Sequence, residues 1–166
     1  MRRMLPLGLM ALALLLTVGV GPQGAAAAKA PAFKKPPTFT EIGLRLNVSG
    51  EIDGLQPSAA NPNDTKVFLT AYGTLKVDCF DSAGVLLGQA TASFGSVQGL
   101  QYLPDSQLRP NGAPISVTAA APGLTPEQAG CPTGATYTAA RDTTHTIARV
   151  IVLQGGAILL DQTFTP

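Results

Sequence analysis

The sequence predicts an all-β fold, an antiparallel β-sandwich of about seven or eight short strands. Three observations carry that expectation. Apolar residues recur with period two through most of the chain after residue 38, the pattern of half-buried strands. Gly, Pro, Asn and Asp break these runs at short intervals. Beyond the amino-terminal apolar run, no long segment keeps a helical period. A hydrophobic sheet face must be covered, and two sheets packed face to face cover each other. A small closed β-barrel is the alternative, because strand number alone does not separate the two.

Residues 1–28 read as a secretory signal peptide. Arg2 and Arg3 supply a positive start, Met4 to Val20 is an uncharged apolar run, and Ala25 to Ala28 offer small side chains to a signal peptidase. Ala26 and Ala28 fit the small peptidase pockets and place cleavage after Ala28; a cut after Ala30 would set Pro31 beside the scissile bond. The rival reading is a retained anchor, since the run sits near the lower end of the roughly 17–25 residues that span a bilayer. Pro6, Gly19 and Gly21 weaken it as a lasting helix. No Cys near the cleavage site offers a lipid attachment, and no later segment is long and apolar enough to span. A secreted protein, or one held at the cell surface, is therefore expected, with no stable membrane insertion after cleavage.

Lys29 to Thr38 is expected to be a flexible lead-in, because Pro31, Pro36 and Pro37 cannot donate to a ladder and Lys34 and Lys35 favour water. Residues 39–166 then form a single β-sandwich domain, long enough for one core. Ile42, Leu44, Leu46 and Val48 point one way in the first strand, ended by Gly50, Gly54 and Pro57. Asn61-Pro62-Asn63-Asp64 is a turn-rich loop. In the strongest strand, Val67, Leu69, Ala71, Leu75, Val77 and Cys79 share a face that includes Gly73. Asp81 to Gly84 makes a hairpin loop, and Val85 to Phe94 returns as its partner. Gln98 to Leu103 reads as a further strand, Ile115, Val117 and Ala119 alternate again, and Pro122 to Gly134 is a loop. Thr136 to Ala140 is a short strand, and His145 to Leu153 pairs with Ala157 to Phe164 through Gln154-Gly155-Gly156.

Charge narrows the partners. Without Arg2 and Arg3 the 11 basic side chains fall to nine against 10 acidic ones, which leaves a net charge of −1 with His145 neutral. That balance argues against nucleic acid or an anionic membrane surface as the main partner. Two cysteines, Cys79 and Cys131, are an even pair, and in an oxidising compartment they are expected to form a disulfide. A closed loop of about 50 residues is worth roughly 4 kcal/mol in the chain-entropy model. Two buried thiols are the alternative; two Cys and one distant His fall short of a zinc set, so no metal site and no cofactor is expected.

No catalytic residue emerges. His145 is the single histidine, and nothing in the sequence brings it to Asp142 and a serine. Ser96 lies in Gly95-Ser96-Val97-Gln98-Gly99, which lacks the spacing of a nucleophile elbow. Glu51 with Asp53, and Asp78 with Asp81, are close in sequence, but glycoside hydrolysis needs carboxyls facing across a cleft. Asp53, Asn61, Asn63 and Asp64 do not follow the calcium-loop pattern, and turn formation explains them. Asn47-Val48-Ser49 and Asn63-Asp64-Thr65 match the glycosylation sequon, discounted because the Ala- and Leu-rich leader looks bacterial. Phe68, Tyr72 and Phe80 lie on the strong strand opposite its apolar row. Left exposed, they form a surface for stacking on a carbohydrate or docking a protein; covered by the second sheet or a loop, they are core, which is the expectation.

The motifs Gly130-Cys131-Pro132, Tyr137 in a Thr/Ala-rich strand, the closing hairpin from Ile147 through Gly155-Gly156 to Leu160, Thr163-Phe164-Thr165, and Cys79 at a strand end form a recognisable set. Over about residues 66–166 the chain resembles a group of small exported proteins from high-GC bacteria, which carries Trp where Tyr137 stands. The resemblance implies export, β structure and a disulfide, and no activity. The resulting expectation is a secreted or cell-surface, non-enzymatic β-sandwich, a binding or structural module for an unknown protein or carbohydrate. The alternatives are a small secreted hydrolase using His145, and an inhibitor or accessory protein presenting the 122–134 loop.

Overall fold

Period-two alternation buries one side of each strand, and two sheets are needed to cover those sides. The computed structural model describes residues 29–109 and 111–166; the expected signal peptide lies outside the described residues. In chain order the strands are β1 (Ala32–Phe33), β2 (Thr38–Ile42), β3 (Arg45–Asp53), β4 (Thr65–Phe80), β5 (Leu86–Leu103), β6 (Ala113–Ala120), β7 (Tyr137–Gln154) and β8 (Ala157–Phe164). They form two four-stranded antiparallel sheets, and among the described residues no ladder joins the sheets into a barrel. The expected sandwich is what the chain adopts.

In the first sheet β3 is central, with β6 on one side and β1 followed by β2 along the other. Two sequence expectations are corrected here. Ile42 and Leu44 do not continue the strand of Leu46 and Val48: Gly43, at φ 58, opens a two-residue turn, and Ile42 pairs back with Arg45. Glycine at the first central position suits such a hairpin. The lead-in also joins the sheet. Ala32 and Phe33 pair with Asp53 and Ile52, and Thr38 already belongs to β2. Pro36 and Pro37 are tolerated because they interrupt an edge, where a missing donor breaks no ladder. Phe33 and Phe39 both pack on Phe164 at the end of β8, with ring centroids 5.6 and 5.4 Å apart.

The second sheet has the order β5-β4-β7-β8. Its strands are longer than the sequence pattern suggests, because β5 and β7 each fuse two expected strands across bulges. Gly95 and Ser96 together face Tyr72 in β5, and Thr146 is the extra residue of β7 at the same level. A bulge bends a strand without ending its ladder. The expected turns form: Asp81 Oδ1 accepts from the Ala83 and Val85 N–H groups, and Gly155 and Gly156, at φ 58 and 82, join β7 to β8.

Bulges on both neighbours of Tyr72 and Gly73 divide the inner face in two. Below them Val67, Leu69 and Ala71 pack with Leu46, Val48, Ile52, Val117, Val150 and Val152 in the sandwich core. Above them Leu75, Val77, Cys79 and Phe94 form a second core, covered by the segment 121–135 and by Leu44 at the β2–β3 turn. Gly73 stands at the junction, where any β-carbon would run into the Thr144 carbonyl and the Phe94 ring. A one-turn helix, α1 (Pro126–Ala129), anchors the covering segment. The Cys79–Cys131 disulfide then fastens it to β4, as expected.

Candidate functional site

The outer face of the second sheet carries a group of exposed apolar side chains at the end where β4 begins. Strand pairing sets Phe68 of β4 between Leu100 of β5 and Ile151 of β7, and sets Tyr72 beside Ile147. Tyr102 and Ile158 are each 61% exposed, Leu100 45% and Ile147 43%, while Phe68 and Tyr72 are half-buried among them. The first sheet packs on the other side of the second, against Val67, Leu69 and Ala71. The expectation that Phe68 and Tyr72 become core is therefore replaced by a half-open face, because β4 turns its even-numbered residues away from the first sheet.

Charges punctuate this face without dominating it. Lys66 Nζ lies 2.7 Å from Asp64 and 5.9 Å from the centre of the Tyr102 ring, and the Asp64 bond raises the ammonium pKa above its ordinary value. Arg149 donates from Nε to Asp161 Oδ1 at 2.7 Å, which lowers the Asp161 carboxyl. Each ion has a partner, so the face is close to neutral. A broad, weakly charged surface with protruding rings fits partners that present apolar or ring surfaces.

Phe80 is not part of that surface. Thr74, Lys76 and Asp78 occupy the outer face between Tyr72 and Phe80, where Lys76 meets Asp142 at 3.8 Å and Arg141 meets Asp78 at 3.5 Å. Eight residues of strand separate Phe80 from Tyr72 by about 26 Å. Phe80 instead stacks on Tyr137, with centroids 5.1 Å apart and planes at 12°.

His145 has a partner that the sequence did not suggest. Glu41 of β2 accepts from its backbone N–H at 3.0 Å and lies 2.8 Å from its Nδ1, both through Oε1. A carboxylate only accepts, so Nδ1 carries the proton. These two bonds lower the Glu41 carboxyl below its ordinary value, the backbone bond most. The imidazole side chain is 0% exposed, meets Phe94 edge to face at 5.6 Å, and leaves Nε2 without a partner among the described residues. Phe39, Glu41, Leu46, Thr144, His145 and Pro166 line a hollow of about 400 Å³ beside it. Thr144 is the one hydroxyl in that lining; Asp142 faces Lys76, and Ser96 sits on the β5 bulge.

The other candidates are spent on structure. Asp53 bonds Lys29, Asp64 bonds Lys66, and Asn63 exchanges two hydrogen bonds with Asp105, so the oxygens of the Asn61 loop do not converge. Asn47 Nδ2 donates across the ladder toward Ser116, Val117 and Thr118, which occupies that sequon. Lys34 and Lys35 line a hollow of about 330 Å³, but Lys34 is held by Glu51 and the Asn111 carbonyl. In the 122–134 loop, Thr125 and Gln128 form a reciprocal capping box around α1. That box is readable as Thr-x-x-Gln with Pro126 at the first helical position. No helix among the described residues is long and apolar enough to cross a membrane. No family model matches the chain, and no curated protein or solved structure matches it.

Proposed function

We propose that the chain is a secreted or cell-surface, non-enzymatic β-sandwich that binds a protein or carbohydrate partner on the outer face of the second sheet, at its Phe68 and Tyr72 end. The carrying observation is the half-open group of Leu100, Tyr102, Ile147 and Ile158 around those rings. Large exposed apolar side chains gathered on one face are the usual mark of an interaction surface. The Cys79–Cys131 disulfide supports an oxidising location. The chain has no Trp and three Tyr, two of which, Tyr72 and Tyr102, lie at this end of the face, so tyrosine emission reports its occupancy. Titration with an oligosaccharide panel, and with proteins from the producing cells, should change that emission. The double variant Leu100→Ser/Tyr102→Ser should lose the binding while its stability stays within about 1 kcal/mol. Undiminished binding by that variant, detected by calorimetry, would move the site elsewhere.

The Glu41–His145 contact sustains hydrolysis as a second reading. It requires a wholly buried imidazole to become reachable from solution. A broad hydrolase screen of wild type against His145→Ala decides it: activity lost in a variant that still folds would favour the hydrolase.

A further inference from the structure

Edge strands expose unpaired N–H and C=O groups, and natural sheets guard them with charge, proline, bulges or cover. Three of the four edges here are guarded. The β1–β2 edge is broken by Lys34, Lys35, Pro36 and Pro37. β6 contains Pro114 and lies against β5, where Gln101 accepts from the Ser116 N–H and Gly99 abuts the Thr118 carbonyl. β8 is eight residues long, carries Asp161 and is bulged at Leu159. β5 differs: its 18 residues include no charge and no proline. Among the described residues, it makes ladder bonds on its β4 side alone.

The bulges on β5 bracket one regular stretch. Leu87 is extra between Cys79 and Phe80, and Gly95-Ser96 face Tyr72, so Gly88 to Phe94 run in unbroken register with β4. Thr91 is the middle of that stretch. We propose that the β5 edge at Gly88–Phe94 pairs antiparallel with the same edge of a second copy of this chain, about a twofold axis at Thr91. An isologous contact needs a self-complementary surface, and this register supplies one. Thr91 faces Thr91 of the second copy and Gln89 faces Ser93, pairs that hydrogen-bond across strands, while Ala90 faces Ala92. Gly95, whose α-carbon has open space beside it, comes opposite the exposed Leu87 of the second copy. No like charges meet. A second β5 thus matches this edge from Gln89 to Ser93.

Paired residues share parity, so the two outer faces point the same way in a continuous eight-stranded sheet. If the Proposed function holds, the pair is then bivalent; the pairing itself does not depend on that reading.

Sedimentation of the full processed chain over a range of concentrations tests the pairing. Wild type should form a dimer, and Thr91→Glu should weaken it about tenfold or more, because two carboxylates then oppose each other at the axis. Thr91 is exposed and sits opposite Lys76 within the chain, so the variant's own fold gains a favourable neighbour. Thr91→Lys should likewise be monomeric, and a mixture of the two variants should recover the dimer. A monomeric wild type overturns the inference, as does a Thr91→Glu variant that dimerises as wild type does. Failure of the mixture to recover overturns self-pairing at Thr91. None of these outcomes depends on whether the Tyr102 face binds anything.

Discussion

One oxygen of Glu41 accepts both the backbone N–H and the Nδ1 of His145, joining β2 of the first sheet to β7 of the second at the level of the Thr146 bulge. Because these bonds favour the charged carboxylate, the Glu41 pKa lies below its ordinary value of 4.5. A depressed carboxyl contributes stability that is present above that ordinary value and is lost as pH falls through the lowered one. Glu41→Gln removes the titration and keeps the shape. Urea unfolding across a pH series should show wild type more stable near neutrality, with the difference shrinking as acid protonates Glu41. Parallel curves for the two proteins would contradict the assigned coupling. Glu41 is about half exposed, so the difference is expected to be small.

Gly73 should tolerate no side chain. A β-carbon there meets the Thr144 carbonyl, the His145 backbone and the Phe94 ring at once, where β7 bulges toward β4. Gly73→Ala is expected to cost about 3 kcal/mol, the upper end for overpacking. Gly123, with nothing near its α-carbon, is the control, and its Ala variant should stay within about 0.5 kcal/mol. Denaturant midpoints of the two variants provide the comparison.

Much of this fold is legible in the sequence wherever a local rule decides it. The inner row from Val67 to Cys79, the alternation from Ala113 to Ala119, the Asp81–Gly84 turn and the Gly155-Gly156 turn all follow from period and turn chemistry. The strand boundaries are harder to read, because a bulge shifts the phase of the alternation just as a strand end does. Thr146 and Gly95-Ser96 therefore look like interruptions. The β2–β3 hairpin hides for another reason: its two-residue turn pairs Ile42 with Arg45 and so reverses which parity faces the core, yet the exposed Ile42 is apolar and seems to continue the row of Leu46 and Val48. The Glu41 partner of His145 lies 104 residues away, and no periodicity encodes that pairing. The open face around Phe68 depends on which side the first sheet covers, and alternation is silent on that choice.

Removing the disulfide should loosen one half of the molecule before the other. Cys131 follows Gly130, the C-cap of α1, and fastens the 121–135 segment over Leu75 and Val77, while the sandwich core below Gly73 makes no use of it. Cys79→Ala/Cys131→Ala is expected to lose about 4 kcal/mol in the chain-entropy model. Hydrogen exchange should rise first in residues 121–136 and the adjoining ends of β4 and β7, with the β3–β6 ladder protected longest. Uniform loss of protection would show that the two cores open together.

Asn47 offers a test in which acid strengthens the protein. Its amide donates toward the Val117 carbonyl and the Ser116 and Thr118 hydroxyls, at 3.0 to 3.3 Å. Asn47→Asp replaces that donor with a charged acceptor beside a carbonyl, at an expected cost of about 1–3 kcal/mol near neutrality. The protonated acid can donate where the amide did, so the folded state should raise the pKa of the new carboxyl. The destabilisation is then present above the raised value and relieved as pH falls through it. Urea midpoints of the variant relative to wild type should therefore recover on mild acidification. A deficit that stays constant with pH would mean that the amide hydrogens contribute little to the β3–β6 contact.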